Sequence, residues 1–192
     1  MPSIGTHLRV AGAVHCIVVL PAGAYVLATV VAWPLAVSYA LTALPATLVG
    51  GIAPDVDHPS SHAYNLAHRW LPVLVGGSVL WASVLATGVL QDGFTQTNVS
   101  DTYALGVVSG VAAVSTWYTT RESIPKLRPP HRGIVHTARV GILFGTVFGA
   151  YITCLLWTTH MSSSPEIGTM WGAAFVIGYL SHLWRDGELS YQ

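Results

Sequence analysis

At 192 residues, with 52% hydrophobic and only 8% charged side chains, the chain is long enough for one domain but too poor in charge to cover a soluble surface. Eight basic residues balance eight acidic ones, so bulk charge points to no nucleic acid or other polyelectrolyte partner. The expectation is an all-α, polytopic membrane helical bundle of about six transmembrane helices, forming a single membrane-embedded domain over residues 1–192.

Six uncharged apolar runs follow in chain order: residues 10–32, 35–53, 71–90, 103–120, 140–158 and a shorter one, 169–184. Crossing about 30 Å of hydrocarbon takes about 20 helical residues, so five runs suffice outright and the sixth spans with its polar ends. The first run is longer than the apolar core of a usual signal peptide. It ends at Trp33-Pro34 without a small-residue cleavage pattern, and is therefore read as a permanent helix. Six of the seven tryptophans, Trp33, Trp70, Trp117, Trp157, Trp171 and Trp184, fall at or near run ends, where an amphipathic ring prefers the headgroup region. Cys16 and Cys154 lie inside apolar runs and outside any CxxC spacing, and are read as small buried apolar residues rather than a disulfide.

The basic residues set the orientation. Six crossings from a cytoplasmic amino terminus place residues 1–9, 54–70, 121–139 and 185–192 on the cytoplasmic side. These segments hold Arg9, Arg69, Arg121, Lys126, Arg128, Arg132, Arg139 and Arg185, every Lys and Arg in the chain. The opposite segments, 33–34, 91–102 and 159–168, hold none, as the positive-inside rule requires. The expected location is the cytoplasmic (inner) membrane, multi-pass, with both termini cytoplasmic and membrane lipids as surroundings.

That threading gathers the metal-ligating residue types at one face. His7 precedes the first run, Asp55, Asp57 and His58 follow the second, His131 and His136 precede the fifth, and His182 and Asp186 close the sixth. None of the eight was used to choose the topology. In Pro54-Asp55-Val56-Asp57-His58-Pro59 an extended backbone would point both aspartates the same way. An acidic turn is the ordinary alternative, but uncompensated carboxylates at a helix carboxyl end oppose the macrodipole and repel one another, objections that a bound cation removes. His182 and Asp186, four apart, share a helix face, either as two ligands or as a ligand with its orienting carboxylate; a polar helix end beside a snorkelling Arg185 is the plain alternative. Pro129 and Pro130 bar a helix before His131, and Gly133 permits a turn that aims His131 and His136 from a loop and from the next helix; a basic loop facing anionic headgroups is the other reading. His7 alone carries little weight. Eight nitrogen and oxygen donors exceed the needs of one zinc, so two or three ions are expected, with Zn2+ favoured by the mixed ligands and Mn2+ or Fe2+ compatible.

The arrangement Thr6-His7, Pro54-Asp55-Val56-Asp57-His58, His131-Arg132-Gly133-Ile134-Val135-His136-Thr137 and Gly178-Tyr179-Leu180-Ser181-His182-Leu183-Trp184-Arg185-Asp186 resembles the YdjM-like family of inner-membrane metal-dependent hydrolases. Order and the spacing inside each block agree across nearly the whole chain, and the second and third blocks are specific, but the two helices between residues 71 and 120 separate those two blocks more widely than in compact members. Val135 and Thr137 stand where the family pattern has Thr and Ser. The family is distantly similar to zinc-dependent phospholipase C and nuclease P1 type hydrolases, and the resemblance therefore implies phosphoester chemistry. In such a centre one of Asp55 or Asp57 would orient the nucleophilic water and Arg132 would meet the substrate's negative charge. The leading expectation is a membrane hydrolase acting on a phosphoester or lipid-like substrate at the cytoplasmic face. A metal-ion transporter or sensor would place its donors near the bilayer midplane, where only His15 lies, and a structural metal clip would present a closed site. Substrate, metal identity and oligomeric state are not written in the sequence.

Overall fold

The computed structural model describes residues 4–93, 99–127, 134–158 and 161–187, which form six helices and, among the described residues, no strand. They are α1 (Ile4–Leu27), α2 (Trp33–Asp57), α3 (His62–Gly93), α4 (Val99–Leu127), α5 (Ala138–Trp157) and α6 (Ser164–Arg185). Each expected apolar run coincides with one helix, except that residues 28–32 form a turn rather than continuing α1. Three helices, α1, α2 and α5, are long and apolar enough to cross a membrane. The described residues thus support membrane association, but not six equivalent spans. α6 is the buried centre of its unit, and twelve of its residues, including Gly168, Gly172 and Gly178, are enclosed by protein.

The chain forms two compact units, Met1–Ala63 with Pro129–Gln192, and Tyr64–Arg128. In the first, α1 is interrupted by a π-helical turn at His15–Val19. α2 is built of three pieces, Trp33–Thr42, Leu44–Gly50 and a 3-10 turn at Ala53–Asp57. Pro34, Pro45 and Pro54 each sit in the first turn of a piece, where the missing N–H costs no helical bond; farther inside they would break one. Val19, Ala24 and Leu27 of α1, Ala36, Ala40, Ala43 and Ala46 of α2, and Met170, Ala174, Phe175, Tyr179 and Leu183 of α6 make one core cluster.

α5 meets α6 backbone to backbone. A Cβ on Gly145 would lie 2.8 Å from the Gly172 carbonyl oxygen, and one on Gly149 would lie 2.7 Å from that of Gly168. Only hydrogen fits there, and the four-residue spacing of Gly141, Gly145 and Gly149 is the pattern by which membrane helices approach closely. The outer surface of the unit is the reverse. Ile17, Val26, Leu41, Val49, Leu143 and Val147 are each more than half exposed, an apolar belt suited to lipid rather than water. Cys16 and Cys154 belong to this exposed side, which corrects their reading as buried residues. A lipid-facing surface and a core are both apolar, so local composition could not distinguish them.

The second unit pairs most of α3 with α4. Gly76 lets them touch, since a Cβ there would lie 2.9 Å from the Ala113 carbonyl oxygen. The Arg69 guanidinium lies over Trp70 and that of Arg121 over Trp117, at 5.5 and 5.4 Å from the ring centroids.

Candidate metal centre

Four stretches of the first unit bring donors together. α1 carries His7 near its start, and the 3-10 turn that closes α2 carries Asp55 and Asp57. His136 ends a short 3-10 turn, Ile134–His136, immediately before α5. Thr137 caps α5, its hydroxyl accepting from the Val140 N–H at 3.4 Å, and the Tyr179 hydroxyl donates to the Val135 carbonyl, tying this turn to α6. His182 lies in the last turn of α6 and Asp186 caps its carboxyl end, and Gly187, with φ of 76°, takes the left-handed conformation that ends the helix.

His182 is the centre of the arrangement. It is 1% exposed, and its Nδ1–H donates to the Gly51 carbonyl at 2.9 Å, so in the neutral ring Nε2 is a lone pair. That nitrogen is buried without a hydrogen-bond partner and faces two carboxylates: Asp55 Oδ1 at 3.6 Å and Asp186 Oδ2 at 3.5 Å. Asp186 Oδ1 in turn lies 3.6 Å from His7 Nε2. These separations exceed those of charge-assisted hydrogen bonds, which run about 2.7–2.9 Å. Two donors held about 2.0–2.2 Å from one zinc at the tetrahedral angle lie about 3.3–3.6 Å apart. The observed spacing is compatible with ligands around an ion and lies equally within the range of a His–Asp ion pair; a neutral ring with its lone pair confronting carboxylate oxygens would be repulsive, and a cation or a proton at that position would relieve it.

Two donor groups result. His7, His182 and Asp186 offer atoms all within 4.8 Å of one another, as do Asp55, His136 and His182. The His7 and His182 rings stack with centroids 4.0 Å apart and planes 17° from parallel, while His136 meets His182 edge-on at 5.9 Å. His7, His136 and His182 are all buried; Asp55, with 24% of its side chain exposed, opens the cluster towards solvent.

Of the eight ligands expected from the sequence, His7, Asp55, His136, His182 and Asp186 enter these groups, whereas Asp57 and His58 do not. An extended segment aiming both aspartates the same way is not what forms. The 3-10 turn advances about 120° per residue, so positions two apart diverge: Asp55 faces His182, and Asp57 faces His136 at 3.4 Å. His58 is half-buried at the end of that turn, its Nδ1 bonded to the Ser60 hydroxyl at 2.9 Å. His131 and Arg132 lie outside the described residues.

Sequence reasoning missed the Gly51 carbonyl that fixes the His182 tautomer, because a backbone acceptor has no residue-type signature. It gave Tyr179, three residues before His182, no role of its own, and it placed His15 near the bilayer midplane without its partner, the Thr47 hydroxyl, which lies 2.9 Å from Nδ1 between α1 and α2. Comparison with family models, curated proteins and solved structures finds no match to this chain. The resemblance to the YdjM-like family rests on its motif residues alone.

Proposed function

We propose that the chain is a multi-pass inner-membrane, metal-dependent hydrolase, acting on a phosphoester or lipid-like substrate at the cytoplasmic face. The observation that carries the metal reading is the placement of Asp186. Its two oxygens address the Nε2 atoms of two different, stacked histidines, as a carboxylate shared by two ions would. His182, Asp55 and His136 would hold one divalent ion, and His7 with the other oxygen of Asp186 would hold a second, with Zn2+ favoured by the donor set and Mn2+ or Fe2+ compatible. Such ions supply Lewis acidity and an acidified water.

The chain's own residues then have distinct tasks. Gly51 fixes the proton of His182 on Nδ1, which keeps Nε2 free for ligation. Asp55, the partly exposed carboxylate, is placed to orient water at the solvent side of the cluster. Arg132, on the sequence pattern, meets the substrate's charge with a planar fork that Lys cannot reproduce. The phosphoester assignment rests on the family resemblance.

The test is metal analysis of purified protein joined to a phosphodiesterase and phospholipid panel with a chelator control. Metal in the wild type and chelator-sensitive hydrolysis are expected, with Arg132→Lys retaining metal while losing turnover. The burial of His7, His136 and His182 favours a second reading, a closed structural metal clip. Full metal content without hydrolysis of any substrate would select it.

A further inference from the structure

Asp57 is nearly inaccessible, at 1% exposure, yet belongs to neither donor group. A carboxylate at that depth needs compensation, and its Oδ2 lies 3.4 Å from His136 Nδ1, within ion-pair range though longer than a formed hydrogen bond. The two nitrogens of an imidazole point to different sides of the ring, so a ring whose Nδ1 faces Asp57 has Nε2 left for another partner. His136 is at the same time within donor distance of Asp55 and His182.

We infer that Asp57 is a positioning residue rather than a ligand. It faces Nδ1 of His136 at ion-pair distance, favouring a proton on that nitrogen and setting the ring direction so that Nε2 is available to the ion shared with Asp55 and His182. This inference rests on the metal reading above and assigns the two aspartates of the Pro54-Asp55-Val56-Asp57 segment different roles: Asp55 ligates and Asp57 orients. The 3-10 turn makes that division possible by sending the two side chains to different neighbours.

Co2+ bound to the full-length protein in detergent gives both an affinity and a visible spectrum that reports the ligand set. Asp57→Asn is expected to bind Co2+ about 10 to 100-fold more weakly with an unchanged spectrum, because the ligands are the same but one is less well held. Asp55→Asn is expected to change the spectrum itself. In a His136→Ala background, Asp57→Asn should have no further effect on affinity, since the residue it positions is gone. A changed spectrum in Asp57→Asn would make Asp57 a ligand and overturn the inference. So would wild-type affinity in Asp57→Asn, or an undiminished Asp57→Asn effect in the His136→Ala background, either of which would reduce Asp57 to a fold-stabilising group. If Asp57→Asn fails to fold, Asp57→Glu, which keeps the charge and the acceptor, must bind Co2+ with the wild-type spectrum or the inference is lost. Failure of these comparisons with metal-binding wild type leaves the metal centre standing; wild-type protein that takes up no ion overturns both.

Discussion

Gly178→Ala tests how the helix contacts hold the site. A Cβ at this position would fall on the Thr47 carbonyl oxygen, 2.9 Å from the carbonyl carbon and 3.1 Å from the Gly51 nitrogen. Carbon contacts are comfortable only from about 3.5 Å, so α2 and α6 must separate by about 1 Å to admit the methyl group. His182 follows Gly178 by one turn, and its bond to the Gly51 carbonyl is 2.9 Å long, so a shift of that size breaks it. Overpacking costs about 1–3 kcal/mol and the lost hydrogen bond about 1 kcal/mol. Alanine recovers about 1 kcal/mol of helix propensity, leaving about 1–3 kcal/mol of destabilisation. For a chain of this size that lowers Tm by about 2–12 °C. With the His182 tautomer no longer fixed, metal affinity should fall about 10 to 100-fold. Thermal unfolding in detergent and competitive Zn2+ titration read the two effects. Gly12→Ala is the control, since nothing lies within 4 Å of its Cβ position, and it should be neutral or slightly stabilising. Wild-type Tm and affinity in Gly178→Ala, or equal damage from Gly12→Ala, would refute the reasoning.

Chelation should lower Tm reversibly: an ion at about 100 times its Kd contributes about 2.7 kcal/mol, and added Zn2+ should restore the loss in wild type but not in His182→Ala. Leu143, 57% exposed on α5, should reject arginine by about 2.5–3.5 kcal/mol if that face meets lipid, read as reduced membrane insertion, whereas a water-facing position would accept it. In a variant with Cys16 and Cys154 replaced, Ser60→Cys should be labelled only from the cytoplasmic side and Ser162→Cys only from the other; labelling of both from one side would refute the proposed orientation.

The sequence by itself determined the helical class, because long uncharged runs without a polar period leave the backbone little choice but to satisfy its own hydrogen bonds. It also determined which residue types could bind metal and that they recur at run ends, and the four-residue spacing of His182 and Asp186 was enough to place them on one helix face. Tertiary structure decided the rest. The runs could not say that α6 would be the buried hub while Ile17 and Leu143 face outward, since lipid and protein core are equally apolar surroundings. The Asp55 and Asp57 pair could not reveal its divergence, because that depends on whether two residues adopt an extended or a 3-10 backbone, and Pro54 is compatible with both. Nor could any residue pattern identify the Gly51 carbonyl as the acceptor for His182, 131 positions away in the chain. That bond exists because glycines let the backbones of α2 and α6 come into contact, and it leaves the lone pair of His182 facing two carboxylates.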